Sequence, residues 1–497
     1  MVKNKIIIIA AGVLLLELVG CVAKRPAELG TEVMGEFAPP DAFLPGEKHP
    51  YYGSENEWNR RFFYEHTERF YKRRGQRQML DIVEGRIAET VAYANELLAA
   101  DPNDLESLFN LSVALAYQNK FEEAVESIKL AVERGLPFQR FLAGPRDVLQ
   151  PLTNSAPFKD YADSFDIKLL HGPMLGRVTG TSASFWVRTA ESVEVQVLAS
   201  SKADLSAPVT SSIVRTGELS DYTAIIKVEG LNPNSTYYYL VLVDGEPATE
   251  AGSLLFVTSP PADFTGQIKI AFGGGAGYVP ENERMWSTIT SNAPQAFLFM
   301  GDNVYINIPD HPNGVHRYTY YRRQSQPEFR KLVASTAAYA IWDDHDASTD
   351  DVWMGPYTDK PSWKMPLLDV FRTNWINPRY GSDEYPATWH SFSIGDVEVF
   401  MLDGRFYRTN PFAQDPTMLG PDQLAWLVDA LKNSTATFKV IASPVPWSYA
   451  TKTDAKDTWN GFHNERDAIF GSIAENKVDG VILLSADRHR SDAWEIE

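Results

Sequence analysis

Cysteine is nearly absent from this chain of 497 residues, since Cys21 is the only one. A single thiol excludes an intramolecular disulfide and a metal cluster held by thiolates. Basic charge is also scarce, because 46 Lys and Arg stand against 65 Asp and Glu, for a formal net charge of −19. We therefore exclude a general nucleic-acid binder, which needs a basic surface. A site for an anionic phosphate would need a local metal ion or arginine.

The N-terminal apolar run, Ile6 to Leu16, is too short for a typical membrane span. Lys3 and Lys5 precede it, and Leu18-Val19-Gly20-Cys21 follows it. This pattern resembles a bacterial lipoprotein signal peptide over residues 1–20, with Cys21 as the lipidated N-terminus of the mature protein. An ordinary secretory signal or a poor membrane anchor is the alternative. We expect a protein of the bacterial cell envelope, periplasmic or extracellular, held to the membrane by lipid on Cys21.

Residues 21–57 are rich in Pro, Gly and Glu, which is typical of a tether. Residues 58–166 are predicted to be helical, including a helix from Ile82 to Ala100 and a pair over Leu105–Gln118 and Phe121–Arg134. The apolar spacing in the pair resembles a tetratricopeptide repeat (TPR), a fold that binds protein partners. Helices that simply pack on the next domain are the alternative.

From residue 167 to 261 the pattern changes to short strands separated by turns, such as Asn232-Pro233-Asn234-Ser235. This spacing predicts a seven-strand β-sandwich of the fibronectin type, with a structural role. From 262 to 497 strands alternate with helices, which predicts an α/β domain.

Four apolar runs of the α/β domain each end in polar groups suited to binding hard metals or anions. They are followed by Gly301-Asp302-Asn303-Val304-Tyr305, Asp343-Asp344-His345-Asp346, Asp403-Gly404-Arg405-Phe406-Tyr407-Arg408, and Asp487-Arg488-His489. Because ligand sites in layered α/β folds form outside the carboxyl ends of strands, we expect these four endings to converge.

Each ending predicts a role for its side chains. Asp302 and Tyr305 suit a dinuclear centre, with Tyr305 favouring Fe(III), although Asp302 alone also fits a helix cap. Asp344 is predicted to bind metal, and His345 to act as a proton donor beside it. Asp343 and Asp346 are expected to be solvated or capping.

Two further pairs complete the predicted site. Asp487 and His489 place two ligand types on one side of an extended segment. Arg405 and Arg408 suit phosphate binding. The alternative for the arginines is a set of salt bridges to Asp343, Asp346 or Asp403.

Taken together, these motifs resemble the alkaline phosphatase D (PhoD-like) family of metallophosphatases, which is similar to the purple acid phosphatases. Further matching motifs are Leu419 to Leu427, Ser485 to His489, His171 to Arg177 and Phe185 to Arg188. The resemblance covers residues 167–497 and implies a phosphoesterase with a four-layer αββα domain, preceded by the sandwich as the family's N-terminal domain.

The resemblance also implies roles at the metal centre. Asp302 would bridge two ions, Tyr305 would bind Fe(III) as phenolate, and Asp344, Asp487 and His489 would complete the ligands. His345 would be the catalytic histidine. Two or more ions are expected, Fe(III) with a divalent ion (Ca, Zn, Mn or Fe). They would activate a hydroxide that attacks a phosphate mono- or diester.

The chain departs from the family pattern in three places. Phe272-Gly273-Gly274-Gly275 offers no side-chain ligand where the family has Ser-Cys, and Ser443-Pro444 replaces a histidine. The sequence stops at Glu497, soon after the last ligand pair, which favours a truncated chain. These departures keep open a second hypothesis, a cell-surface binding or scaffold lipoprotein whose phosphatase domain is degenerate.

Overall fold

The computed structural model describes residues 7–10, 71–306, 308–309, 311–348, 350–451 and 455–493. Cys21, the tether and most of the leader lie outside these ranges, so the lipoprotein interpretation stays a prediction. The first described strand is β1 (Ile7–Ala10), which pairs in parallel with a strand at Lys269–Gly273. None of the described helices is long and apolar enough to cross a bilayer.

A helical region comes next, with bounds close to those the apolar spacing predicts. It contains α1 (Gln76–Val83), α2 (Ile87–Ala100), α3 (Leu105–Tyr117), α4 (Phe121–Glu133), α5 (Gln139–Ala143), α6 (Arg146–Thr153) and α7 (Ala156–Ala162). The single helix predicted over Ile82–Ala100 is wrong. Gly85 adopts φ +80° and donates its N–H to the carbonyl of Ile82, which ends α1 before α2 begins.

The paired helices α3 and α4 bury the apolar positions that suggested a repeat, including Leu108, Ala124 and Ile128. They also pack on the α/β domain, since the rings of Phe109 and Tyr318 lie 5.7 Å apart. Elsewhere in the helical region, Arg146 pairs with Asp221 of the sandwich at 3.0 Å, which agrees with the alternative interpretation of the helices. The TPR interpretation stays a prediction.

The next region is a β-sandwich of antiparallel strands, as predicted in outline. Its strands are β2 (His171–Gly176), β3 (Ser182–Arg188), β4 (Glu194–Ser200), β5 (Val209–Thr210), β6 (Val214–Arg215), β7 (Thr223–Glu229), β8 (Thr236–Val243), β9 (Glu246–Pro247) and β10 (Leu254–Val257). One sheet has the order β2-β3-β7, and the other β10-β8-β4-β5, with β6 on β4 and β9 on β8. Phe185, Tyr239 and Phe256 pack between them. The likeness to fibronectin stays a prediction.

The last region contains two sheets built mainly from parallel strands. Its strands are β11 (Lys269–Gly273), β12 (Ala296–Met300), β13 (Ala337–Ile341), β14 (His390–Ile394), β15 (Val397–Met401), β16 (Phe438–Ser443) and β17 (Val481–Ser485). The orders are β1-β11-β12-β13 and β14-β15-β16-β17, in which only β14 runs antiparallel to its neighbour. Sequence reasoning missed β14.

The helices of this region are α8 (Arg284–Ser291), α9 (Arg317–Gln324), α10 (Pro327–Ser335), α11 (Asp344–Ala347), α12 (Lys364–Asn374), α13 (Pro421–Asn433) and α14 (His463–Glu475). α9 and α12 were not predicted. α9 reads Arg-Tyr-Thr-Tyr-Tyr-Arg-Arg-Gln, which has no apolar stripe for a periodicity argument to detect.

Alternating side chains place the two sheets face to face between layers of helices. In β12, Leu298 belongs to the core shared with Val399 of the second sheet, whereas Phe299 faces the helices. In β15, Phe400 packs with Leu427 of α13. The order helix, sheet, sheet, helix brings the carboxyl ends of β12, β13, β15 and β17 toward one edge.

Candidate metal centre

The loop after β12 forms a sharp turn that brings it against the loop after β13. Gly301 adopts φ +97°, and a Cβ there would lie 2.5 Å from Cβ of Asp343, so only glycine permits this approach. Asp302 follows with φ +51°, an uncommon conformation for a residue with a side chain. Such strain is typical of functional sites.

Asp302, Asp344 and His345 converge as the sequence predicted. Each offers one ligand atom, and these atoms all lie within 4.8 Å of one another. Asp302 is 3% exposed, and its Oδ1 is buried without a hydrogen-bond partner among the described residues. A buried carboxylate oxygen left in this way costs free energy that a bound cation would recover. The donor set therefore fits a hard metal ion.

The charges around this cluster favour ionised Asp302. Burial opposes its ionisation, but His345 and His489 outweigh that effect and lower the pKa of Asp302 well below its ordinary value. Burial raises the pKa of Asp344, with His345 opposing it. The pKa of His345 is raised, since Asp344 and Asp302 outweigh its burial.

Tyr305 and His489 lie beside the cluster, also as predicted. The Tyr305 hydroxyl lies 2.8 Å from Nε2 of His489, which is 3.9 Å from Oδ2 of Asp302. Burial, followed by the charge of Asp302, raises the pKa of Tyr305 well above its ordinary value. A phenolate at this position therefore requires a strong cation next to it.

The loop after β11 brings its backbone against His489, a ligand already predicted at the other end of the domain. Gly275 adopts φ +76°, and a Cβ there would lie 2.7 Å from Cδ2 and Nε2 of His489. The carbonyl of Gly275 also accepts a hydrogen bond of 3.3 Å from the Tyr305 hydroxyl. The glycine thus makes room for the imidazole of His489.

Asp343 and Asp346 flank the site without joining the cluster. Asp346 accepts the backbone N–H of Asp343 at 2.9 Å and of Asn303 at 3.1 Å, which ties the two loops together. Asp343 caps α11 and pairs with Arg405. The prediction that such a residue caps a helix is correct. The prediction that these carboxylates are solvated is wrong, since both are buried.

Arg405 and Arg408 are fully buried and form salt bridges, the alternative that the sequence left open. Arg405 Nε lies 2.5 Å from Oδ1 of Asp343, and its Nη1 lies 2.7 Å from Oδ1 of Asp457. Arg408 Nη1 lies 2.9 Å from the same atom of Asp457. Asp457 is thus the partner that both arginines share. Of the three partners suggested by the sequence, Asp343 pairs with Arg405. Phosphate binding by these arginines stays a prediction.

Asp457 and Asp351 are acidic neighbours of the site that sequence reasoning missed. Their carboxylates and that of Asp344 also lie within 4.8 Å of one another. Asp351 donates its N–H to Oδ2 of Asp344 at 2.7 Å. Both residues lie in irregular segments, so the strand-end signal could not detect them.

Asp487 belongs to neither of the two convergent groups. It follows β17, adopts φ +69° and is half-buried. Its role as a metal ligand stays a prediction.

The region that holds these residues is similar to known proteins. Residues 270–497 match the family model described as PhoD-like phosphatase, and residues 166–258 match a domain of unknown function, DUF7800. Alkaline phosphatase D of Bacillus subtilis (strain 168) is 22% identical over 54% of this chain and 53% of its own length. The chain thus spans about half the length of the curated relative it matches. A solved structure described as "Structure of PhoD" has a TM-score of 0.53 at 18% identity, over 63% of this chain and 70% of that one.

Proposed function

We propose that this protein is a metal-dependent phosphoesterase, because residues 270–497 match the PhoD-like phosphatase family that its motifs resemble. Its substrates would be phosphate mono- or diesters. The observation that carries the proposal is the convergence of Asp302, Asp344 and His345 at the ends of β12 and β13. A buried acidic cluster with an unpaired carboxylate oxygen is what a hard cation needs.

Four residues would hold the two ions. Asp302 would be shared by both, Tyr305 and His489 would hold one ion, and Asp344 would hold the other. We infer Fe(III) on the Tyr305 side, since a phenolate needs a strong cation there, and a divalent ion (Ca, Zn, Mn or Fe) on the Asp344 side. Asp487 is proposed as a further ligand. When bound, such a pair neutralises phosphate charge and supplies hydroxide at workable pH.

His345 is the proposed proton donor to the leaving oxygen. Its Nε2 lies 3.0 Å from Oδ1 of Asp350, and the neighbouring carboxylates raise its pKa, which favours the protonated imidazolium. No Ser or Cys nucleophile is indicated by the sequence, so we propose direct hydrolysis. Arg405 and Arg408 would act through Asp343 and Asp457, by fixing the loops that carry the ligands.

The scaffold alternative drew its support from the missing ligand at Gly275. His489, itself one of the proposed ligands, lies against Gly275, and the match to the phosphatase family favours the phosphoesterase over the scaffold. We keep as proposals the lipid anchor on Cys21 and a protein partner for the helical region. If a Cys21→Ser variant still sediments with membranes, the anchor is wrong.

The test combines metal analysis with hydrolysis of 4-nitrophenyl phosphate and bis(4-nitrophenyl) phosphate. We expect bound metal and turnover of at least one ester, and loss of both in Asp302→Ala. Full metal occupancy in Asp302→Ala would remove Asp302 as a bridging ligand. Absence of turnover by the metal-loaded protein would refute the phosphoesterase.

A further inference from the structure

A short basic segment from the helical region lies against the proposed site. Residues Tyr71–Arg73 form one turn of 3-10 helix, and Arg74 follows before α1. This basic segment, residues 71–74, lies outside both family matches, which begin at residues 166 and 270. Its contacts are therefore a property of this chain that the family models do not describe.

Two side chains of the basic segment reach the site residues. Lys72 Nζ lies 3.4 Å from the centre of the Tyr305 ring. Arg73 Nη2 lies 3.4 Å from Nε2 of His345 and 3.8 Å from Oδ1 of Asp350. The side chain of Arg73 is 8% exposed, and its Nε is buried without a hydrogen-bond partner among the described residues. Arg73 thus places its guanidinium beside the proposed proton donor.

Arg322 of α9 fixes the backbone of the basic segment. Its guanidinium donates to the carbonyl oxygens of Tyr71 at 2.7 Å, Lys72 at 3.4 Å and Arg74 at 3.2 Å. An arginine in this geometry matches three acceptors at once through its planar fork. The turn therefore has a defined orientation toward the site.

Arg322 is held in turn by a buried carboxylate of the helical region. Its Nε lies 3.1 Å from Oε1 of Glu106, which also pairs with Arg140 at 2.8 Å and accepts the hydroxyl of Tyr318. All of these side chains are buried. Such a network resists displacement, because movement of any member would leave a buried charge unpaired.

The negative charge around the proposed site creates a need for cationic side chains near a bound substrate. The protein carries a formal net charge of −19, and the site is rich in carboxylates. Arg405 and Arg408 are already engaged with Asp343 and Asp457. A substrate with more negative charge than the reacting phosphate would therefore gain from the donors of Arg73.

We propose that Arg73 is a specificity-determining residue that binds an anionic group on the leaving-group portion of the substrate. The assignment rests on the proposed phosphoesterase function. Arg73 lies beside His345, the group placed to protonate the leaving oxygen, so an acidic group on the departing alcohol falls within its reach. The substrate class is thus a phosphate ester whose leaving group carries a carboxylate or a second phosphate.

The test compares two chromogenic phosphate monoesters of equal leaving-group acidity, one neutral and one with a carboxylate on the ring. We expect Arg73→Gln to lower kcat/KM for the carboxylate ester about 10-fold more than for the neutral ester, the worth of a charge-assisted hydrogen bond. Arg73→Lys should retain part of the preference, because it keeps a point charge. An equal loss for both esters, or no loss, would overturn the proposal.

The matched control is Arg134→Gln, because Arg134 belongs to the same helical region but is exposed, contacting the carbonyl of Pro102. It should leave both kcat/KM values unchanged. Thermal unfolding of each variant checks the fold. If Arg73→Gln does not fold, Arg73→Lys is compared with the wild type instead. The lysine keeps the charge but not the planar guanidinium, so the preference for the carboxylate ester should still fall.

A binding measurement separates failure of this inference from failure of the proposed function. Calorimetry would compare inorganic phosphate with pyrophosphate on the metal-loaded protein. We expect Arg73→Gln to weaken pyrophosphate about 10-fold and phosphate much less. If the wild type hydrolyses neither ester, the phosphoesterase proposal fails, and this selective loss would still support the anion site. Equal affinities in wild type and variant would overturn it.

Discussion

Gly275→Ala is expected to loosen the metal centre with little further effect on the fold. The new Cβ would lie 2.7 Å from two atoms of the His489 ring, a distance that forces something to move. The side chain of His489 is 51% exposed, so the ring can swing outward. That movement breaks its 2.8 Å contact with Tyr305 and takes an imidazole away from Asp302. The cost should thus appear in metal binding.

Gly275→Ala should have two effects, one on the free energy of folding and one on metal affinity. A residue with a Cβ at φ +76° costs roughly 1–2 kcal/mol of folding free energy. Gly85→Ala is the matched control, because Gly85 has φ +80° and a Cβ added there would meet no atom of the described residues beyond its chain neighbours within 4 Å. Both variants should therefore lose similar stability. Misplacing a group that orients or binds a metal typically costs about 10–100-fold in metal affinity, and only Gly275→Ala should show this loss.

The assay is metal retention during dialysis against chelators of graded strength, followed by elemental analysis, with thermal unfolding measured in parallel. The reasoning is refuted if Gly275→Ala retains metal as well as the wild type does. It is also refuted if Gly85→Ala loses metal to the same extent.

Three other predictions test the remaining parts of the site and its support. His345→Ala should keep its metal but lower kcat by roughly 10²–10⁴, as for loss of a general acid, and unchanged kcat in steady-state kinetics would reduce His345 to a structural role. Arg405→Met should lower the free energy of unfolding by about 3–5 kcal/mol, because it removes the arginine partner of buried Asp343 and leaves Asp457 with Arg408, and denaturant titration would detect it. Burial opposes ionisation of Glu106, but Arg140 and its other partners lower the pKa to about 2 from an ordinary value of 4.5. This carboxylate should therefore stabilise the fold above pH 4.5 and lose that effect as the pH falls toward 2, so Glu106→Gln should flatten the acid limb of a stability–pH curve.

The strands and the convergence of their ends could be predicted because their signals are local. A buried parallel strand needs an apolar run, and the polar residues that follow it must lie at the sheet edge. Asp302, Asp344, His345 and His489 were located by this argument alone. These four residues could be found without knowing how the strands pair with one another.

The arginines show what local signals cannot decide. From sequence, Arg405 and Arg408 suit either phosphate or salt bridges, and their observed partner Asp457 lies in a loop with no periodic pattern. Arg73 reaches His345 across 272 positions of the chain. Contacts of this kind are set by packing between regions, which spacing within one segment cannot encode.

The missed helix α9 explains how those regions are joined. It is polar in sequence yet buried, since Tyr318, Tyr321 and Arg322 are each no more than 1% exposed. Arg322 and Tyr318 meet Glu106 of the helical region. On another face Tyr321 donates to Asp221 of the sandwich.

Two of the three arginines of α9 are neutralised by partners from other parts of the chain. Arg322 pairs with Glu106 at 3.1 Å, and Arg317 pairs with Asp221 at 3.2 Å. The third, Arg323, pairs with Glu283 of its own domain at 2.8 Å. If α9 were buried in the α/β domain alone, the charges of Arg317 and Arg322 would be unpaired, which would cost several kcal/mol each. The helical region and the sandwich are therefore needed to bury α9. Since Arg322 of α9 also holds the basic segment, the same packing that stabilises the fold places Arg73 beside His345.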